Sequence, residues 1–204
     1  DSTKTEKEWS NYEYRLESNM DRIFELLDRK NQKATFFVLG WIAERCPDLV
    51  REIHQRGHEV ASHGIDHHLC YKQTQDELRL DLIKSKELLE DLIRSEVSGY
   101  RAPSFSITDE SLNIVREAGY LYDSSYNSYE GHGRYGSLSL PKGERQDLPL
   151  YSLTPLFYEI PVSNLRLGSR VIPWGGGGYF RLLPFFLHRV GVKHILKQHG
   201  CYTF

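Results

Sequence analysis

The sequence predicts an α/β fold with a parallel sheet, open or closed into a barrel, and three observations carry that reading. Strand-like and helix-like segments alternate at intervals of about 25 to 40 residues, the rhythm of βαβ units. The first strand candidate, Ala34 to Gly40 (ATFFVLG), is a near-continuous β-branched and aromatic run, as a strand covered by helices on both faces must be. The segments between strands carry helix start and stop signals where the alternation needs them.

From Tyr12 to Lys30, Leu16, Met20, Ile23, Phe24 and Leu27 recur at spacings of three and four, which places them on one helical face. After the Ala34 to Gly40 strand a second helix is expected from Trp41 to Arg56, with Pro47 marking a break or a restart after Cys46 and Gly57 stopping it. Glu59 to Ser62 makes the next strand. Thr74-Gln75-Asp76-Glu77 offers a capping box for a helix reaching Arg94. Its apolar stripe is Leu78, Leu82, Ser85 or Lys86, Leu89, Leu92 and Ile93. Val97 to Arg101 is a third strand, Thr108 caps a helix through Ala118 with Asp109 and Glu110 in its first turn, and Tyr120 to Ser124 is a fourth strand. After Asn127 a Gly, Ser and Pro-rich region runs to Pro155, followed by a strand at Phe157 to Val162. The glycine run Trp174 to Arg181 reads as a flexible rim loop, because it lacks the Lys-Ser/Thr of a phosphate-binding loop. Gly200 to Phe204 looks like the start of another buried strand.

Composition narrows the classes of function. A chain of 204 residues, 39% hydrophobic, can bury one substantial core. A formal charge of -2 with mixed signs offers no extended basic face, so nucleic acid is not favoured as a partner. No stretch reaches the roughly 18 apolar residues that span a bilayer. The three cysteines, Cys46, Cys70 and Cys201, are odd in number and lack C-x-x-C spacing, which argues against a disulfide framework or a zinc cage and favours a reducing compartment.

His63 and His67, in the run Glu59 to His68 (EVASHGIDHH), are the strongest candidates for chemistry. Imidazole nitrogens suit zinc and its neighbours, but two of them cannot close a site alone, so a third ligand must come from elsewhere. Nine histidines give on the order of 0.4 H-x3-H pairs by chance, so context decides. His54 and His58 share the spacing but straddle a helix end at Gly57, and are read as unrelated to a site. In parallel α/β folds chemistry sits at the carboxyl ends of strands. His63 and His67, then Arg101 to Phe105, then Asp123 to Ser125 all fall at such ends.

Taken in order, Ala34 to Phe37 (ATFF), Gly57 to His67 (GHEVASHGIDH) and Gly99 to Ser104 (GYRAPS) resemble the NodB-type polysaccharide deacetylase family. Tyr122-Asp123-Ser124-Ser125 and the Gly-Gly-Gly-Tyr-Phe-Arg run are similar to the branch associated with exosortase and exopolysaccharide loci. The resemblance covers about residues 12 to 204, and implies one domain over 1–204 with a core at 12–125 and a branch-specific extension at 126–204. It implies an irregular (β/α) barrel that removes N-acetyl or O-acetyl groups from an acetylated polysaccharide or oligosaccharide with a divalent metal, zinc or a similar ion. His63 and His67 would ligate that metal with an aspartate, Arg101 would orient the catalytic aspartate base, and Pro103, Ser104 and Phe105 would shape the substrate groove. Without the resemblance, Arg101 reads as a structural ion pair with a rim carboxylate. Ser104 replaces a tyrosine common in the family, and its backbone can still serve an oxyanion.

Two parts of the family pattern are not found. The Asp-rich first strand carrying the base and the third ligand should precede Tyr12, where only Asp1 to Trp9 (DSTKTEKEW) stands. The strand bearing the general-acid histidine should follow Cys201. The chain is therefore expected to lack the first strand and the end of the last, as a piece of a longer bacterial protein, cytoplasmic or membrane-associated. His199, in a polar turn, reads as a surface histidine. Asp66, His68 and Asp123 are the next residues to test as ligands. A native protein without the acids would instead be a non-catalytic carbohydrate-binding relative.

Overall fold

The computed structural model of the chain describes residues 15–129, 131, 133–139 and 150–204. Helix α1 (Leu16–Lys30) buries Met20 and Phe24 and closes on Asn31 in the left-handed conformation. Residues 12–14 of its expected span lie outside the described ones. Strand β1 (Thr35–Val38) leads into α2 (Gly40–Arg45) and α3 (Pro47–Gln55). The break expected at Cys46 is there because Pro47, which has no amide hydrogen to donate, serves as a first helical residue.

Strand β2 (Glu59–Ser62) is followed by the histidine turn and by α4 (Gln75–Ile93), whose capping box forms as expected: the Glu77 amide donates to Thr74 Oγ1 at 3.3 Å and the Thr74 amide to Glu77 Oε2 at 2.8 Å. Its buried face is Leu78, Leu82, Ser85, Leu89 and Ile93. Ser85 rather than Lys86 enters the core, where its hydroxyl meets those of Ser62 and Tyr120 at 2.9 and 3.3 Å. The Lys86 ammonium reaches the Val97 carbonyl and Glu90. Strand β3 (Gly99–Tyr100), α5 (Asp109–Glu117, capped by Thr108) and β4 (Tyr122–Asp123) follow. These strands are shorter than their patterns suggest, because only their last residues enter a ladder.

Beyond residue 124 the structure departs from expectation. Strands β5 (Tyr151–Thr154) and β6 (Phe157–Glu159) form an antiparallel pair, and β7 (Asn164–Leu167) with β8 (Arg170–Pro173) a separate hairpin. Of the expected strand to Val162, only Phe157–Glu159 is a strand. The glycine run is not simply a loop: Gly177–Leu182 is a helix, α6, and a further helix α7 (Phe185–His199) follows. Helix α7 escaped the sequence pattern because its buried residues are His188, Gly191 and Ile195 while Phe185, Phe186 and Val190 face outward. Gly200 to Phe204 is not a strand either, although the Ser163 amide donates to the Thr203 carbonyl at 3.1 Å.

The main sheet runs β1-β2-β3-β4-β6-β5, parallel except for β5 at one edge. The chain is thus an α/β protein with a mostly parallel sheet, open among the described residues. Its register aligns Ser62 with Tyr100, Tyr100 with Asp123, and Asp123 with Glu159. The carboxyl ends of four successive strands therefore form one rim. The main core, from Phe24 through Val50, Leu82 and Tyr100 to Phe157, packs on the sheet, whereas Leu165, Trp174 and Ile195 make a small separate cluster.

Candidate functional site

The histidine turn is held from three sides. The Gly40 and Trp41 amides, at the start of α2, donate to the Gly64 and Ile65 carbonyls at 2.8 and 3.0 Å, and the His63 amide donates to the Val38 carbonyl at 2.9 Å. From α4, Asp81 Oδ1 accepts the Ile65 amide at 3.0 Å. Gly64 has φ +76°, and a Cβ there would stand 2.7 Å from Asp81 Oδ2. Only glycine suits both the left-handed backbone and the approach of the carboxylate. Sequence inspection passed over Asp81; its one signal was an acid between Leu78 and Leu82 on the buried side of a helix.

His63 and His67 are brought together, with ring centroids 5.1 Å apart at 69°. His63 Nδ1 lies 2.6 Å from the Arg101 carbonyl oxygen. That oxygen can only accept, so Nδ1 carries the proton and Nε2 presents a lone pair. Second-shell carbonyls orient metal-binding histidines in this way. Burial pushes the His63 imidazolium down to about 4, and burial also lowers His67. Both rings are therefore neutral near pH 7, the form that binds a cation. The pair fits two corners of a divalent metal centre. Among the described residues no third His, Cys, Asp or Glu completes the cluster, Asp66, His68 and Asp123 included. The stretch Asp1 to Trp9, where the family pattern seeks its acids, lies outside the described residues.

Arg101 sits on the same rim, its guanidinium stacked 4.3 Å over Phe37 and 5.7 Å from the Phe105 centroid. Ser124 fixes it: Nε donates to the Ser124 carbonyl and Nη2 to Ser124 Oγ, each at 2.7 Å. Among the described residues no carboxylate forms an ion pair with it, so the ion-pair reading of Arg101 is not what holds it. The turn Pro103–Phe105 is a short 3-10 segment in which Ser104 and Phe105 both have positive φ, 52° and 55°. His67, at φ 60°, is the third such residue on this rim. Backbone strain of this kind persists where the surroundings over-determine it, and it gathers at functional sites.

Below the rim lies a polar system that sequence inspection did not anticipate. Asp123 and Glu159 are fully buried neighbours across β4 and β6. Asp123 accepts the Ser125 hydroxyl at 2.6 Å and the Ser125 amide at 3.0 Å, while Glu159 Oε1 accepts the Ser125 and Tyr126 amides at 3.2 and 2.8 Å. Glu159 Oε2 finds no donor. Burial, and next the facing Asp123 carboxyl, raise Glu159 well above the ordinary carboxylate range. Ser125 Oγ in turn accepts the Ala102 amide at 2.7 Å. The tandem Ser124-Ser125 thus locks the Arg101 to Pro103 backbone.

The other histidine pair is separated as expected. His54 lies within α3, and His58 is buried before β2, stacked on Phe24 with centroids 5.9 Å apart at 12°. His199 ends α7. Cys46, Cys70 and Cys201 form no disulfide.

The chain has relatives among known proteins. A family model described as polysaccharide deacetylase matches residues 3–122, and one described as a domain of unknown function (DUF3473) matches residues 124–204. The chain belongs to the polysaccharide deacetylase family. It is 33% identical over 100 residues to a peptidoglycan-N-acetylglucosamine deacetylase of Bacillus cereus, covering 49% of this chain and 36% of that protein. To a chitooligosaccharide deacetylase of Azorhizobium caulinodans it is 28% identical over 98 residues, 48% of this chain and 47% of the other. A solved Mycobacterium smegmatis structure, described as a candidate polysaccharide deacetylase, superposes with TM-score 0.57 at 25% identity, covering 84% of this chain and 59% of that one. The chain spans between a third and a half of the length of these curated relatives.

Proposed function

We infer that the protein is a metal-dependent hydrolase that removes acetyl groups from an acetylated amino-sugar polymer or oligosaccharide. The observation that carries this reading is the His63–His67 pair, neutral, oriented through Arg101 and seated on the strand-end rim. Relatives named as deacetylases of peptidoglycan and of chitooligosaccharides support the substrate class. His63 and His67 would supply two ligands to a divalent ion, zinc by preference for imidazole, with a carboxylate from elsewhere in the protein as the third. Such an ion polarises an acetyl carbonyl and activates water. Arg101, held by Ser124, would orient a catalytic aspartate base. Pro103, Ser104 and Phe105 shape the groove wall.

The glycine run and Tyr122 to Ser125 favour the branch associated with exosortase and exopolysaccharide loci. A cytoplasmic or membrane-associated bacterial location goes with that branch. No helix among the described residues is long and apolar enough to cross a membrane. The two-part organisation, a catalytic core to residue 125 and an extension from 126, follows the same reading.

The test is acetate release by the full-length protein from acetylated chito-oligosaccharides in the presence of added zinc, with His63→Ala and His67→Ala alongside the parent. Each substitution is expected to reduce release to background, because losing either ligand leaves too few protein donors for a catalytic site. Undiminished release in both variants overturns the assignment. Saccharide binding without release in the parent selects the non-catalytic relative instead.

A further inference from the structure

The segment after Asp123 builds a second wall beside the histidine pair, and a cavity of about 500 Å³ opens between that wall and the rim. Arg101 and Phe105 line it from the rim, Tyr135 from the loop after β4, and Gly176, Tyr179 and Phe204 from the C-terminal part. Arg101 links the cavity to the histidines, since it lines the cavity and its backbone carbonyl orients His63.

The wall is built rather than accidental. Trp174, just before the glycines, donates its indole N–H to the His188 carbonyl at 3.0 Å and stacks on the His188 ring at 9°, and Tyr202 donates its hydroxyl to the Trp174 carbonyl at 3.0 Å. A Cβ on Gly175 would stand within 3 Å of Val162, Ser163 and Thr203. Gly176 has φ +130°, a conformation that essentially only glycine adopts. At Gly178, by contrast, a Cβ would meet nothing within 4 Å. The run is therefore pinned at its start and open toward the cavity. Phe105 and Tyr135 meet edge to face, 5.3 Å between centroids. Burial and then the facing Tyr179 hydroxyl push the Tyr135 phenol up to about 12, so it stays protonated and can donate.

Aromatic faces with phenolic tips, bare glycine backbone and one cation are the lining of a small-molecule site that is mostly apolar with a few polar anchors. Pyranose rings offer matching chemistry: an apolar C–H face for an aromatic ring and equatorial hydroxyls for phenol and amide donors. We propose that residues 124–204, through Tyr179, Tyr135 and the pinned glycine run, form a subsite for a neutral pyranose unit next to the sugar whose acetyl group faces His63 and His67. The proposal rests on the deacetylase reading for the identity of the polymer, but its geometry does not use the metal. It assigns a substrate-length function to the part of the chain that matches a domain of unknown function.

The experiment is titration of the full-length protein with N-acetylated chito-oligosaccharides of two to six units, by calorimetry, for the parent, Tyr179→Ala and Tyr179→Phe, with acetate release measured in parallel. Circular dichroism and thermal unfolding confirm that each variant is folded. Tyr179→Ala is expected to weaken the longest oligomer about tenfold, about 1.4 kcal/mol, with less than about a twofold change for the dimer. Tyr179→Phe, which keeps the ring, should recover most of the loss. In kinetics the effect falls on KM for long substrates rather than on kcat. Length-dependent weakening without acetate release in the parent upholds the subsite and overturns the deacetylase reading. Acetate release with no length-dependent effect of Tyr179→Ala does the reverse. Absence of both release and binding at every length overturns both.

Discussion

Residues 15–123 and 150–204 solve the same problem with unequal means. The first part packs α1 to α5 against parallel strands in one continuous core, with capping boxes on two of its helices. The second lends Phe157 to that core, keeps Leu165, Trp174 and Ile195 as a small cluster of its own, and turns Leu182, Phe185, Phe186 and Val190 outward, 63 to 79% exposed. Their charges differ as well. From Ile160 to the end there is no acidic residue, against Arg166, Arg170, Arg181, Arg189, Lys193 and Lys197. The lesson is a division of labour: the densely packed part holds the histidines and Arg101 to fixed positions, and the lean part supplies a wall whose value lies in shape.

The sharpest way to break this comparison is to open the larger core. Leu82 is fully buried on α4, and Leu82→Ala should lower the unfolding free energy by about 3 kcal/mol, transfer and cavity terms together. Urea denaturation measures it, and a loss below about 1 kcal/mol would show that the core is less tightly packed than the structure indicates.

A smaller effect, visible as a slope, tests the joint between the two parts. Glu159 keeps its proton in the folded protein because burial raises it, whereas the unfolded chain releases that proton near 4.5. Above 4.5 the folded state therefore binds more protons than the unfolded state, and stability falls as pH rises through this window. Asp123, also raised by burial, titrates with Glu159 as a pair. Glu159→Gln keeps an acceptor for the Ser125 and Tyr126 amides and removes the titrating proton. It should flatten the decline between pH 5 and pH 9 in thermal unfolding. An unchanged slope would mean that Glu159 is ionised in the folded protein.

The smallest effect is expected on the outward face of α7. Phe186 is 65% exposed, so Phe186→Ser should change stability by no more than about 0.5 kcal/mol. A loss near that of Leu82→Ala would reveal that the face is covered in solution.

Legibility in the sequence followed the same division. Apolar residues at Met20 and Phe24, the β-branched run at β1, and the Thr74 and Thr108 caps are local signals, and each marked its element. His63, His67 and Arg101 were found for the same reason, since a motif at a strand end is short-range information. The C-terminal part was misread where locality fails. Helix α7 buries a histidine, a glycine and one isoleucine, so its hydrophobic pattern points to the wrong face. The glycine run looks like a loop because its helical turn depends on Trp174 being anchored by His188 and Tyr202.

By itself the sequence determined the α/β class, the order of helices and strands to residue 123, and the identity of the residues on the rim, because side-chain periodicity and capping act within a few residues. Only the tertiary structure decided that Asp81 clamps the histidine turn, that Ser124 and not a carboxylate holds Arg101, and that Asp123 and Glu159 lie buried side by side. Each of these contacts joins residues 16 to 36 positions apart. Their energies depend on strand register and burial, quantities that exist only once the sheet has formed.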